Sequence, residues 1–345
     1  MSVEAAVLAQ VSRAKGQDMT SAPVVKLRGE ASSRVYYRIG RAPDTVVAMV
    51  MPPDAAKKSD EATAGAAPTE LPFLNVHRYL TALRVRVPKI LRYDELAGIM
   101  VLEDLSDVTF EDALMATGRR EGLYTEAVEL LAYLRASAER KPDASCLAFT
   151  RSFDQTLYDW EFHHFREWGL EAWSGKKPTA EERQVLDSTY LRIAAELAAA
   201  PKGFTHRDYQ SRNIMVKNGE LVVIDFQDAL LGPRQYDLVA LLRDSYVELP
   251  YDFVQSMLEV YARAFERETG EHIDLKPFTA FFDLLTVQRK MKDAGRFEFI
   301  HRVKGNPGFL RSIPASLRYV REALARQPGL DELRRITAKY VPELS

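Results

Sequence analysis

The sequence predicts an α+β protein of two lobes, a small strand-rich one followed by a larger and mostly helical one. Three observations carry this. Short β-forming runs separated by turn residues fill the chain as far as Glu103-Asp104-Leu105, and helical apolar spacing takes over after it. A chain of 345 residues is also longer than one small core needs. The junction falls at about 102–106, which gives an N-terminal lobe of 1–105 and a C-terminal lobe of 106–345.

The elements follow in order. The short, mostly apolar run Val24-Val25-Lys26-Leu27 forms a first strand, and the Gly-Glu-Ala-Ser-Ser cluster at 29–33 reads as a turn. Val35-Tyr36-Tyr37-Arg38-Ile39 is rich in β-formers, and 46–51 is a buried strand stopped by Pro52-Pro53; with the turn at 40–44 they make a hairpin. Residues 54–70 are polar and Ala-rich and read as a loop. Helical spacing over 71–83 puts Leu74, Tyr79, Leu80 and Leu83 near one face, and strands at 87–93 and 98–102 complete the lobe. The second lobe shows helical patterns at 111–115, 123–140, 153–168, 179–200, 252–268, 275–297 and 314–325, interrupted by a β segment near 204–226. No repeat or heptad run is present.

Composition narrows the function classes. The hydrophobic and charged shares, 46% and 28%, are those of an ordinary globular chain, and a net charge of -2 supplies no field for nucleic acid or anionic membrane. The one cysteine, Cys146, excludes a disulfide framework and points to a reducing, cytoplasmic compartment. The N-terminus carries Glu4 and lacks the apolar stretch of a signal peptide, and no window matches the roughly 18–20 apolar residues of a membrane span. A small-molecule partner is expected, with no nucleic acid, membrane or obligate protein partner implied.

The segment that carries chemistry is His206-Arg207-Asp208-Tyr209-Gln210-Ser211-Arg212-Asn213, followed by Ile214-Met215-Val216, a turn at Lys217-Asn218-Gly219, and Leu221-Val222-Val223-Ile224-Asp225-Phe226-Gln227. It fits H-R-D-x-x-x-x-N followed by a strand, an Asn-Gly turn, a strand and an Asp-Phe pair, the phosphoryl-transfer arrangement of a bilobal protein-kinase-like fold. Phosphoryl transfer spreads negative charge over the moving group, so the protein chiefly positions the partners and neutralises charge with a cation. Asp208 would accept a proton from the acceptor hydroxyl, or orient it. Asn213 and Asp225 offer the hard oxygen ligands that Mg²⁺ requires. His206 is expected to brace the loop. A non-catalytic nucleotide-sensing scaffold would lack one of Asp208, Asn213 or Asp225, and all three are present.

HRDYQSRN and IDFQDALLGPRQYDLVALLRDSYV resemble the aminoglycoside phosphotransferase-like superfamily of small-molecule kinases. Within it, DFQDA-x-x-GP-x-x-YDL-x-x-LLRD-x-Y is similar to the bacterial anomeric kinases of N-acetylmuramate and N-acetylglucosamine that act in cell-wall recycling. EASSRVYYRI at 30–39 resembles that family's nucleotide-loop hairpin, VLEDLS at 101–106 its hinge and VQRKMKDAG at 287–295 its late helix. The resemblance covers roughly 24–300. It implies ATP and Mg²⁺ as co-substrate and cofactor, and phosphate transfer to an amino-sugar hydroxyl. An aminoglycoside, choline or another hydroxylated metabolite is the alternative acceptor. A protein kinase is disfavoured, because Gly-Pro-x-x-Tyr-Asp-Leu follows Asp225 too closely to leave an activation loop.

Further candidates carry two readings each. The resemblance assigns Ser32, Ser33 and Arg34 to the phosphates, although the turn lacks repeated glycines. The strand at 46–51 has no phosphate-binding lysine; Lys57 or Lys58 fills that role from the loop, or the two are a solvated pair. Glu103 and Leu105 present hinge backbone groups to adenine, while the side chains of Glu103 and Asp104 are solvated or capping. Asp228 faces the acceptor or a second metal, or braces its loop. Arg243, Asp244, Tyr246, Gln288 and Arg289 make a sugar-binding wall or a set of buried ion pairs. Tyr158, Trp160, His163, His164 and Trp168 form an aromatic helix better suited to core packing than to a sugar or a metal.

Overall fold

A computed structural model describes residues 2–27, 34–51, 70–118 and 120–345. The chain forms two compact units, Met1–Thr109 with Met215–Gln227, and Phe110–Ile214 with Asp228–Ser345. The sequence division at 102–106 left 215–227 with the helical lobe. The structure groups that hairpin with the strands, because Met215, Val222 and Ile224 pack on Leu105.

The strand-rich unit holds a five-stranded antiparallel sheet in the order β1-β2-β3-β5-β4, with β1 Val24–Lys26, β2 Val35–Ile39, β3 Val46–Val50, β4 Ile90–Asp94 and β5 Ile99–Glu103. The expected hairpin is β2–β3, in register from Val35↔Val50 to Ile39↔Val46. β5, in the sheet interior, is an unbroken apolar run because both of its faces are covered. Helix α1, Val3–Lys15, lays Val7 and Val11 against Ile39, Val46, Ala48, Ile99 and Val101. This helix was not read from the sequence, although Ser2 caps its start and Gly16, at φ 67°, its end. Helix α2, Pro72–Ala82, buries Phe73, Val76, Tyr79 and Leu80, and Leu83 follows them into the core, so the expected face holds except that Phe73 rather than Leu74 is buried. Strands β7 Ile214–Lys217 and β8 Glu220–Val223 pair through Asn218 and Gly219, both at positive φ (53° and 82°), as a type I′ turn demands.

The helical unit contains α3 Phe110–Thr117, α4 Arg120–Arg140, α5 Gln155–His164, α6 Ala180–Ala199, α7 Gln235–Leu242, α8 Tyr251–Thr269, α9 Leu275–Lys304, α10 Ile313–Arg326 and α11 Asp331–Tyr340. A two-stranded pair, β6 Gly203–Thr205 and β9 Leu230–Gly232, sits among them. The 30-residue α9 packs against α5, α7 and α10, and it buries Gln288, Arg289, Lys290 and Lys292 along with its apolar residues. The helix expected at 153–168 instead passes into a π-helical turn, Phe165–Ala172. Gly295 of α9 lets that helix approach the start of this turn: a Cβ there would lie 2.9 Å from Cα of Phe165. Among the described residues no helix is long and apolar enough to cross a membrane.

Candidate functional site

In the helical unit, β6 delivers the chain into 206–213. Arg207 holds a left-handed backbone, φ 81°, which a long side chain adopts only when its surroundings impose it. Both flanking peptides are fixed. The N–H groups of His206 and Arg207 donate to Asp237 Oδ2 and Oδ1, at 2.7 and 2.9 Å, and Asp237 is in the first turn of α7. The carbonyl of Arg207 accepts from Arg289 at 2.7 Å. Farther along, Ser211 N–H donates to buried Asp244 at 2.8 Å, and the Tyr209 hydroxyl donates to the Ala127 carbonyl at 3.0 Å. Burial pushes the carboxyls of Asp237 and Asp244 up, against the pull of the N–H groups they accept.

Asp208 stands at the apex, its side chain 32% exposed. Its Oδ1 lies 3.2 Å from Arg289, and no hydrogen bond is made to Oδ2 among the described residues. Burial alone would raise its pKa, but Arg289, Lys292 and Arg207 override that and hold the carboxyl below its ordinary value. Asp208 N–H donates to His206 Nδ1 at 3.3 Å, so the ring braces the loop as expected. Asn213 donates its amide N–H to the Asp208 carbonyl at 2.8 Å, which leaves its Oδ1 as an acceptor of the kind a hard cation binds.

The strand-rich unit holds the other expected ligand. Asp225 has φ 62°, a conformation that aspartate tolerates better than most residues. Phe226 behind it is buried against Phe73, ring centroids 4.9 Å apart, and Gln227 donates to Asp225 Oδ1 at 2.7 Å. Burial raises the Tyr36 phenol, which also feels Arg34 and Asp225, so these two expected residues come together about β2. Among the described residues there is no group of three or more His, Cys, Asp or Glu that could hold a metal; the expected pair, one asparagine and one aspartate, is not of that kind.

The side chains of Glu103 and Asp104 are ion-paired, and Asp104 also caps the following turn by accepting the Ser106 N–H at 2.9 Å. Glu103 accepts from Arg86 at 2.5 Å and from the Lys89 N–H at 3.1 Å; burial pushes its carboxyl up, and these donors with Lys217 bring it down to about 2. Asp104 takes Arg38 through two nitrogens, at 2.6 and 3.1 Å, and Arg38 also forks onto Asp107. The peptide of Leu105 makes no hydrogen bond among the described residues. Ser32, Ser33, Lys57 and Lys58 lie outside the described residues.

The residues read as a sugar wall or as buried ion pairs have structural partners. Asp244 holds the loop. Tyr246 lies under the Arg212 guanidinium at 3.7 Å, and Arg212 reaches Glu111 at 2.7 Å. Arg243 is fully buried between Tyr251 and Tyr319, each 4.9 Å away, and 3.6 Å from Glu322. Gln288 donates to buried Glu161 at 2.6 Å, and Arg289 serves the 206–208 backbone. Asp228 stays 40% exposed, 4.0 Å from Arg151. On the aromatic helix Tyr158 and His164 are buried, His164 packing between Trp160 and Phe299, as core packing predicts. Asp237 was missed. It lies inside the Tyr-Asp-Leu run noted in the sequence, and its acidic position one turn past Gly232-Pro233 was the available signal.

The model of the phosphotransferase enzyme family matches residues 23–275. An N-acetylmuramate/N-acetylglucosamine kinase of Neisseria meningitidis serogroup B is 31% identical over 320 residues, 90% of this chain and 89% of the relative. One of the same name from Pseudomonas aeruginosa is 31% identical over 331 residues, 93% and 89% of the two chains. A solved choline/ethanolamine kinase family protein from Mesorhizobium loti superposes with a TM-score of 0.60 over 99% of each chain at 13% identity, a likeness of fold alone.

Proposed function

We propose, because this chain belongs to the phosphotransferase enzyme family, that it transfers the terminal phosphate of ATP to a hydroxyl of an amino sugar. The acceptor is N-acetylmuramate or N-acetylglucosamine, the sugars for which the relatives are named, and the hydroxyl is the anomeric one. One observation carries the phosphotransfer reading. Asp208 offers a cation-stabilised carboxylate with one free oxygen, on a loop whose backbone is tied down around it.

Each residue takes one role. Asp208 accepts the proton of the attacking hydroxyl as the bond to phosphorus forms, or holds that hydroxyl in line. Asn213 Oδ1 and the Asp225 carboxylate would hold Mg²⁺, which supplies charge neutralisation on the phosphate oxygens. The unengaged Leu105 peptide, and the backbone of Glu103 beside it, suit a purine edge. Arg34, with Ser32 and Ser33, would meet the phosphates, as would Lys57 or Lys58. Asp228, partly exposed, is the remaining side chain for the acceptor.

The test is ATP consumption with Mg²⁺ across a panel of amino sugars, choline and aminoglycosides, with ³¹P and ¹H NMR of the product. The expected product is a sugar 1-phosphate, its phosphorus coupled to the anomeric proton. Turnover confined to choline or aminoglycosides would remove the amino-sugar reading, and phosphate found on another hydroxyl would remove the anomeric one.

A further inference from the structure

Arg289 is 1% exposed, and its guanidinium lies 4.7 Å from the Tyr236 ring centre. One terminal nitrogen donates to the Arg207 carbonyl at 2.7 Å, the other to Asp208 Oδ1 at 3.2 Å. The third, Nε, is sealed from solvent. With the whole side chain 1% exposed, its remaining N–H groups lie inside the protein, which argues against the sugar-wall reading of this side chain. What the two contacts share is the peptide linking a strained Arg207 to Asp208. The fork spans a main-chain carbonyl on one side of that peptide and the carboxylate that follows it.

We infer that Arg289 is a positioning residue for the transfer step: it fixes the Asp208 carboxylate by one oxygen and by the preceding carbonyl, so that Oδ2 alone is presented to the incoming hydroxyl. The inference rests on the role proposed for Asp208. A planar guanidinium meets both acceptors from one rigid fork; an ammonium is a point charge that cannot hold the two in fixed relation. The charged and titratable groups about the fork are Asp208, Arg207 and His206 on the loop, Tyr236 and Asp237 on α7, Lys292 and Asp293 on α9, and Tyr158 and Glu161 on α5. Gln288, one residue before Arg289, ties α9 to Glu161 of α5, so the guanidinium projects from a braced helix.

The experiment is steady-state kinetics of wild type, R289M and R289K at saturating Mg²⁺-ATP, with thermal unfolding of each. Because a misplacement of about 1 Å can cost ~10²-fold, R289M is expected to lose about a hundredfold in kcat with the KM for acceptor and for ATP within about twofold. R289K should recover part of this, falling only about tenfold below wild type, because it restores charge without the fork. A raised acceptor KM at unchanged kcat would make Arg289 a binding residue and overturn the inference, as would a wild-type kcat in R289K. If R289M does not fold, R289K alone decides by the same criteria. Whether wild type uses an amino sugar is settled separately by the acceptor panel. Should it use none, the variant ratios are read with whichever acceptor turns over, or with water as acceptor in ATP hydrolysis.

Discussion

Two short segments hold their key aspartate by opposite means. The 206–208 segment forces Arg207 to φ 81° and offsets the strain with groups from far along the chain, Asp237 of α7 and Arg289 of α9, all buried. The 224–227 segment places Asp225 itself at φ 62°, with the next residue, Phe226, plugged against Phe73 and the Gln227 amide, two residues on, donating to its carboxylate. A left-handed residue costs of order 1–3 kcal/mol, so each segment needs compensation of that size. In the first, buried charge-assisted hydrogen bonds provide it. In the second, a residue type that tolerates the conformation needs less. Damage should therefore spread differently from the two places.

The largest effect is expected at the chemistry. Asp208→Asn keeps the shape of the side chain and both loop clamps but removes the proton acceptor, so kcat should fall by about 10²–10⁴-fold with the KM for ATP changed little. Full activity in this variant would take Asp208 out of its role. Asp225→Ala acts on the cation instead. Titration calorimetry of Mg²⁺-ATP should show binding weakened at least about tenfold, with a smaller change in unfolding temperature, since the hydrogen bond lost to Gln227 is local. If Mg²⁺-dependent binding is the same as in wild type, Asp225 is not a ligand.

The same contrast explains what was legible in advance. The 206–227 segment stood out because residue type and spacing coincide with a chemical requirement, and because an Asn-Gly pair at 218–219 can be read as a two-residue turn. β2, β3 and β5 were legible from their β-branched runs and the prolines and glycines that bound them. Asp237 and Asp244 were not, because an acidic residue in or just beyond an apolar helix gives no hint of which N–H groups it meets 30 to 33 residues upstream. The sequence pattern of Arg289 and Gln288 showed only polar residues in a buried stripe; the fold decided that Arg289 faces the loop and Gln288 faces Glu161 of α5. Helix α1 escaped notice because its burial is confined to Val7, Val11 and a few partners on the sheet. The π turn at 165–172 continues the α5 pattern without a break in the sequence, and no local pattern announces it.

Next in size is the loss of a distant clamp. Asp237→Ala leaves two buried N–H groups unpaired, and removing hydrogen bonds to a charged group at a buried site costs about 2–4 kcal/mol. Trp160, Trp168 and Trp173 are the chain's three tryptophans and all lie in the helical unit, so their fluorescence in urea reports that unit's unfolding. The midpoint should drop clearly, and activity should drop with it because the loop loosens. Unchanged fluorescence midpoints would mean that Arg207 holds its conformation without Asp237, and the contrast between the two segments would fail.

The smallest effect should come from Gly219→Ala, in the turn of the β7–β8 hairpin. Gly219 has φ 82°, and no atom lies within 4 Å of where a Cβ would stand, so the substitution meets only the backbone cost. A left-handed alanine costs about 1–2 kcal/mol, while the restriction of the unfolded chain returns about 0.4–1. The net loss is therefore about 0.5–1 kcal/mol, confined to the strand-rich unit. Hydrogen exchange of the β7 and β8 amides should accelerate by about threefold, with the tryptophan-monitored transition unmoved. Catalysis should change little, because Asp225 is anchored by Phe226 and Gln227, beyond the end of β8. If kcat fell as far as exchange rose, the turn would be setting the position of Asp225, and the local anchoring of that segment would have to be abandoned.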